Sequence, residues 1–80
     1  MTLEIIYILA KVDAGHAESI LSRLRDVEGV AFAHAVTGSF DFLIAMEGES
    51  LAKLLSRSMK EIGCMEGIKS TETLVAIRLD

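Results

Sequence analysis

Few side chains in this sequence could do chemistry, and Asp41 poses the sharpest question. It follows a glycine turn in "VTGSFDFLIAME", residues 36–47, and opens an otherwise apolar strand. An unpaired carboxylate is costly to bury, so Asp41 either sits at a wet rim or meets a partner there. His34 lies upstream in the same hairpin, and the two could serve as general base and orienting group. A two-residue turn at Gly38-Ser39 places Val36 opposite Asp41, however, and leaves His34 diagonal to it. No nucleophile–base constellation and no metal-ligand spacing accompanies them, so the roles an active site needs are not all filled. Asp13 and His16, three residues apart, read as a helix-end pair. Cys64, the single cysteine, reads as a small buried hydrophobe; redox work would need an exposed thiol of depressed pKa. Catalysis is not expected, and no cofactor is called for.

The elements that must position these residues are legible. Residues 3–12, "LEIIYILAKV", are rich in β-branched side chains and apolar on both faces, which indicates a strand covered on both sides. Asp13 offers a helix N-cap, and Ala17, Ile20, Leu21, Leu24 and Val27 form an amphipathic stripe that ends at Gly29. Residues 30–37 and 41–47 are two strands joined by Gly38-Ser39, whose order fits a type II′ hairpin. That register gives Ala31, Ala33 and Ala35 a face in common with Phe42, Ile44 and Met46, the core face. Phe32, His34, Val36, Asp41, Leu43 and Ala45 take the other. Ser50 caps a second helix with the stripe Leu51, Leu54, Leu55, Met59 and Ile62, stopped by Gly63. Residues 68–79 form the last strand.

The order is βαββαβ in two related halves, with "VEGV" (27–30) recurring as "MEGI" (65–68). Such a split repeat predicts an α+β, ferredoxin-like sandwich: a four-stranded antiparallel sheet with two helices on one face. The first and third strands would be central. The uncovered face, carrying Phe32, His34, Val36 and Leu43, is too apolar for an ordinary solvent face. A symmetric dimer burying sheet against sheet is the simplest closed solution.

Composition agrees. Eighty residues make one small domain with a limited core, yet 51% of them are hydrophobic and mean hydropathy is +0.45. With one cysteine and no metal cluster, association is the remaining route to stability. No apolar run approaches the ~18 residues that span a bilayer, and no export signal leads the chain, so the cytoplasm is the expected compartment. The eight Lys and Arg are scattered and the net charge is −4, which argues against nucleic-acid binding.

"VEGVAFAHAVTGSFDFLIAME" followed by "EGIKSTETLVAI" resembles the effector-binding domain of the Lrp/AsnC, or feast/famine, transcriptional regulators. The shared pattern is a valine-ended helix, a strand into a V-T-G-x-aromatic-D hairpin, then T-x-T on the last strand. The resemblance spans essentially the whole chain. Those regulators carry an N-terminal helix-turn-helix domain, whereas this chain begins at the first strand and so looks like the stand-alone form. The resemblance implies sheet-to-sheet dimers, rings of dimers, and a small amino-acid effector held between dimers near the hairpin. A full-length regulator is a further partner through mixed assembly. Carried across residue by residue, the implied site comprises Gly38, Phe40 and Asp41 on the hairpin and Ser70, Thr71 and Thr73 on the last strand. Its chemistry suits an amino acid: backbone N–H groups and hydroxyls for a carboxylate, Asp41 for an ammonium. Phe40 lacks the hydroxyl of a tyrosine at that place. An oligomerisation module without ligand is the alternative.

Overall fold

The computed structural model describes residues 2–79. The elements are β1 (Glu4–Val12), a 3-10 turn (Ala14–His16), α1 (Ala17–Arg25), β2 (Val30–Ala35) and β3 (Phe42–Gly48). Then come α2 (Leu51–Arg57), a π-helical turn (Ser58–Ile62) and β4 (Ile68–Val75). The sheet is antiparallel in the order β2-β3-β1-β4, so the first and third strands are central as expected.

Alternation along the strands builds the core. Ile6, Ile8, Ala10 and Val12 of β1 and Phe42, Ile44 and Met46 of β3 are buried against Ile20 and Leu24 of α1, Leu54 of α2 and Ile62. Both helices therefore cover the same face. Of the three alanines expected beside them only Ala33 is buried; Ala31 and Ala35 are exposed. The cause is a bulge: Val30 pairs with Met46 and Phe32 with Ala45, which leaves Ala31 out of the ladder and turns Val30 inward. Ala35 lies at the end of an edge strand.

Helix ends depart from expectation in three places. Asp13 caps through no side-chain bond; its carbonyl accepts from the His16 N–H at 3.2 Å, forming the 3-10 turn that precedes α1. Ser50 does cap α2, its hydroxyl accepting from the Lys53 N–H at 3.2 Å. After Arg57 the helix widens, and the Gly63 N–H reaches back five residues to the Ser58 carbonyl at 2.8 Å. The widened turn shifts the phase of the stripe: Ser58 turns inward, and Met59, expected in the core, is 72% exposed. Gly63 is right-handed (φ −62°) rather than a left-handed stop. Cys64 follows in the loop, exposed rather than buried, its thiol directed to the Met59 carbonyl at 3.4 Å.

The repeated turns are real counterparts. Gly29 and Gly67 have φ of +93° and +95°, and in each turn the N–H of the residue after glycine donates to a carbonyl three residues back. Each glycine carbonyl then accepts from the other half, Gly29 from Glu47 in β3 and Gly67 from Asp13 just past β1, both at 2.9 Å. Arg57 donates to the Glu28 carbonyl and Arg23 to the Glu66 carbonyl, so each helix clamps the turn that follows the other.

Candidate functional site

The β2–β3 hairpin keeps the expected register, with Ala35 opposite Phe42 and His34 opposite Leu43. Its tip is wider than expected. The last rung is the Val36 N–H on the Asp41 carbonyl at 2.8 Å, and residues 37–40 form an open loop rather than a two-residue turn. The φ of Gly38 is +114°, well beyond the roughly +60° of a type II′ corner. A Cβ there would meet nothing within 4 Å, so the glycine serves backbone conformation rather than close packing.

Asp41 is where the ladder changes character. Its N–H leaves the hairpin and donates to the Ala10 carbonyl of β1 at 2.9 Å, while Phe42 is the residue paired with Ala10. Two successive residues thus converge on one partner, a local kink of the bulge kind. The kink lets the Asp41 Oδ2 accept from the Val12 N–H at 3.0 Å. There the carboxylate stands where the next backbone carbonyl would be and caps the end of the β1–β3 ladder. It does not stand out from the apolar outer face beside Val36, as the strand alternation predicted. The residue is exposed, so Oδ1 is open to a further donor.

Lys11, which the sequence offered only as one scattered cation, joins this end of the sheet. Its Nζ lies 5.6 Å from the centroid of the Phe40 ring, a cation–π contact. Ser70 pairs directly with Lys11 across the β1–β4 ladder. Phe40, Asp41, Lys11 and Ser70 therefore share one end of the sheet, with the lysine over the aromatic ring and the carboxylate on the neighbouring Val12 N–H. Sequence spacing could not reveal Lys11, because its link to the hairpin runs through strand pairing.

The threonines are placed differently. Thr71 pairs with Ala10 and Thr73 with Ile8, whose side chains point to the helix side, and opposed residues share a face. The strand pairing separates them from the Lys11–Ser70 face; both are exposed, on an edge strand. His34 stacks on Phe32 with centroids 4.6 Å apart and planes at 25°. His34 and Asp41 are not brought together as a catalytic pair: one stacks on Phe32 while the other bonds the β1 backbone. Grooves lie elsewhere, one of about 440 Å³ between residues 2–5 and 76–79 and one of about 510 Å³ along residues 14–19.

The face opposite the helices carries Ile5, Tyr7, Leu9, Phe32 and Leu43, all half-buried, together with Val36 and Leu74, which are 37% and 43% exposed. No helix of the described chain covers it.

A split βαβ sandwich with one helical face and one bare apolar face, and a hairpin end bearing a lysine and an aspartate, defines a small α+β assembly or binding domain. The Lrp/AsnC ligand binding domain family model matches residues 5–79, and the chain belongs to that family. The fold resembles FFRP-DM1, with a TM-score of 0.86 and 27% identity over 92% of this chain and 99% of that one. It resembles AsnC of Escherichia coli equally, with a TM-score of 0.85 and 25% identity, covering 95% of this chain but only 52% of AsnC. A transcriptional regulator of Neisseria meningitidis, solved as a complex with L-Met, has the same fold at 13% identity and a TM-score of 0.83, over 94% of this chain and 50% of its own. No curated protein sequence matches the chain significantly. The chain thus spans nearly all of FFRP-DM1 and about half of the two regulators.

Proposed function

We propose that this domain senses a small amino acid or related metabolite and transmits its presence through assembly, in the service of transcriptional regulation in the cytoplasm. The observation that carries the ligand class is the hairpin end, where Lys11 lies over Phe40 and the next residue, Asp41, bonds the Val12 N–H that follows Lys11. An amino-acid zwitterion presents one charge of each sign, and this end of the sheet offers the complement of both. Gly38 N–H and the Ser70 hydroxyl supply further donors, while Thr71 and Thr73 would have to act from the helix side. The L-Met complex of the Neisseria meningitidis regulator supports the choice of ligand. The protein would form sheet-to-sheet dimers that associate into rings, with the effector between dimers, and could co-assemble with full-length regulators of the family.

Titration calorimetry against a panel of amino acids that includes L-methionine tests the sensor. Saturable heat for one or a few of them is expected; no binding to any, with oligomeric state unchanged, sinks it. Light scattering with and without the binder then tests transmission, since a ligand at an interface stabilises the assembly that contains it. Equal masses would break that link.

One observation favours a module that assembles without any ligand. The Asp41 carboxylate already has a donor within its own chain, the Val12 N–H at 3.0 Å, and so has a structural reason to be there. Unaltered assembly across the whole panel would establish that role.

A further inference from the structure

The sheet has two outer edges, β2 and β4, and the chain treats them differently. Hydrogen bonds of an antiparallel ladder alternate, so every second residue of an edge strand turns its N–H and carbonyl away from the sheet. In β2 the Val36 N–H bonds inward to Asp41, which makes Ala33 and Ala35 the outward residues. The Ala33 carbonyl is already taken: it accepts from Arg25 Nη2 at 2.9 Å. In β4 the Ala76 N–H bonds inward to Ile5, which makes Thr71, Thr73 and Val75 the outward residues. Among the described residues no side chain bonds to their backbone. One edge is blocked, and the other is a template for a further strand.

The side chains along β4 and beyond it say which strand fits. Ile77 and Leu79 are 78% and 94% exposed. Continued as strand, they fall on the side of Thr71, Thr73 and Val75, with Ser70, Glu72, Leu74, Ala76 and Arg78 on the other. Glu72 and Arg78 are the only charges from 70 to 79, and six residues of strand hold them about 20 Å apart. They cannot meet within one chain. They do meet in an antiparallel pair of two copies whose twofold axis passes through Val75. That register sets Glu72 against Arg78 twice over, Leu74 against the small Ala76, and Thr71 and Thr73 against Leu79 and Ile77. It also keeps outward residues opposite outward residues, as the ladder requires. Axes through Thr73, Leu74 or Ala76 leave both charges unmatched, and one through Glu72 opposes like charges.

We propose that the β4 edge docks a second copy of this chain, the two strands pairing about Val75 to join two sheets into one of eight strands. The contact is isologous, so it closes on itself. It uses an edge rather than the bare face and stands apart from the sheet-to-sheet dimer proposed above. Two strands bury less area than a stable interface requires, so this contact is the weaker of the two and fills as protein concentration rises.

The test uses Val75→Cys, Thr71→Cys and Leu79→Cys, each in a Cys64→Ser background, treated with a short bis-maleimide at high protein concentration. Val75→Cys lies on the axis and should link to itself several-fold faster than Thr71→Cys, whose two copies stand about 26 Å apart. Thr71→Cys mixed with Leu79→Cys should link as Val75→Cys does. Equal rates for Val75→Cys and Thr71→Cys overturn the proposal, and so does a mixture that fails to link. Adding Glu72→Arg to Val75→Cys should lower its yield several-fold, and adding Arg78→Glu as well should restore it. No loss, or a loss without recovery, overturns the charge match that selects the register. All three thiols lie on the helix side of the sheet, so the links report the edge whether or not the sheet-to-sheet dimer forms.

Discussion

Asp41 bonds to the backbone of its own domain, so its first role is architectural. Its carboxylate satisfies a Val12 N–H that β3 no longer reaches. Hydrogen bonds to charged groups contribute on the order of 1.5–3 kcal/mol; because Asp41 is exposed, Asp41→Ala is expected to cost about 1–2 kcal/mol in urea unfolding. Asp41→Asn keeps a carbonyl acceptor of the same shape and should lose less. The pair separates structure from sensing. If the carboxylate also meets an effector ammonium, the Asn variant folds nearly as well yet loses the calorimetric signal. Lys11→Met makes the complementary case, removing the cation over Phe40 with little effect on stability, since exposed cation–π contacts contribute only ~0.5–1 kcal/mol.

At the level of elements, the two halves are held by reciprocal bonds between each helix or strand and the turn of the other half. Gly67 is the tightest point. Its φ is +95°, and a Cβ there would lie 2.6 Å from Ile20 Cδ1 in the core. Gly67→Ala therefore combines left-handed backbone strain with overpacking, and a loss of about 2–4 kcal/mol is expected. Gly38→Ala meets backbone strain alone, with open space around it, and should lose about 1 kcal/mol. Thermal melts of the two variants check the contrast; equal losses would mean that packing at Gly67 contributes nothing.

For the whole molecule the bare sheet face dominates. Leu43 sits at its centre, away from the core, so Leu43→Lys should leave the fold intact by circular dichroism while converting dimers to monomers in sedimentation. Association stabilises the native state by mass action, so the melting temperature of the natural protein should rise with concentration and that of Leu43→Lys should not. Melts that rise with concentration for both would place the dimer contact on another surface, and melts independent of concentration for both would mean that no dimer stabilises the fold.

Periodicity determined the strand and helix order and the helical cores around Ile20, Leu24, Leu54 and Ile62, because alternation by two or by 3.6 is written in adjacent residues; the Gly38-Ser39 turn added the hairpin register and the split repeat the central strands. The "VEGV" and "MEGI" turns were equally legible, since glycine is the residue that takes a positive φ freely. The π-turn that expels Met59, the bulge that drops Ala31 from the ladder and the kink that swings Asp41 onto Val12 were not. Each depends on a backbone group finding a partner distant in the chain or outside the regular pattern. Lys11 entered the candidate site for the same reason: it lies 29 residues before Phe40, and only the pairing of β1 with β3 and β4 sets it beside the ring and Ser70. Tertiary pairing likewise decided that Ser70 shares the face of Lys11 while Thr71 and Thr73 take the other, because neighbours in a strand must point to opposite sides of the sheet.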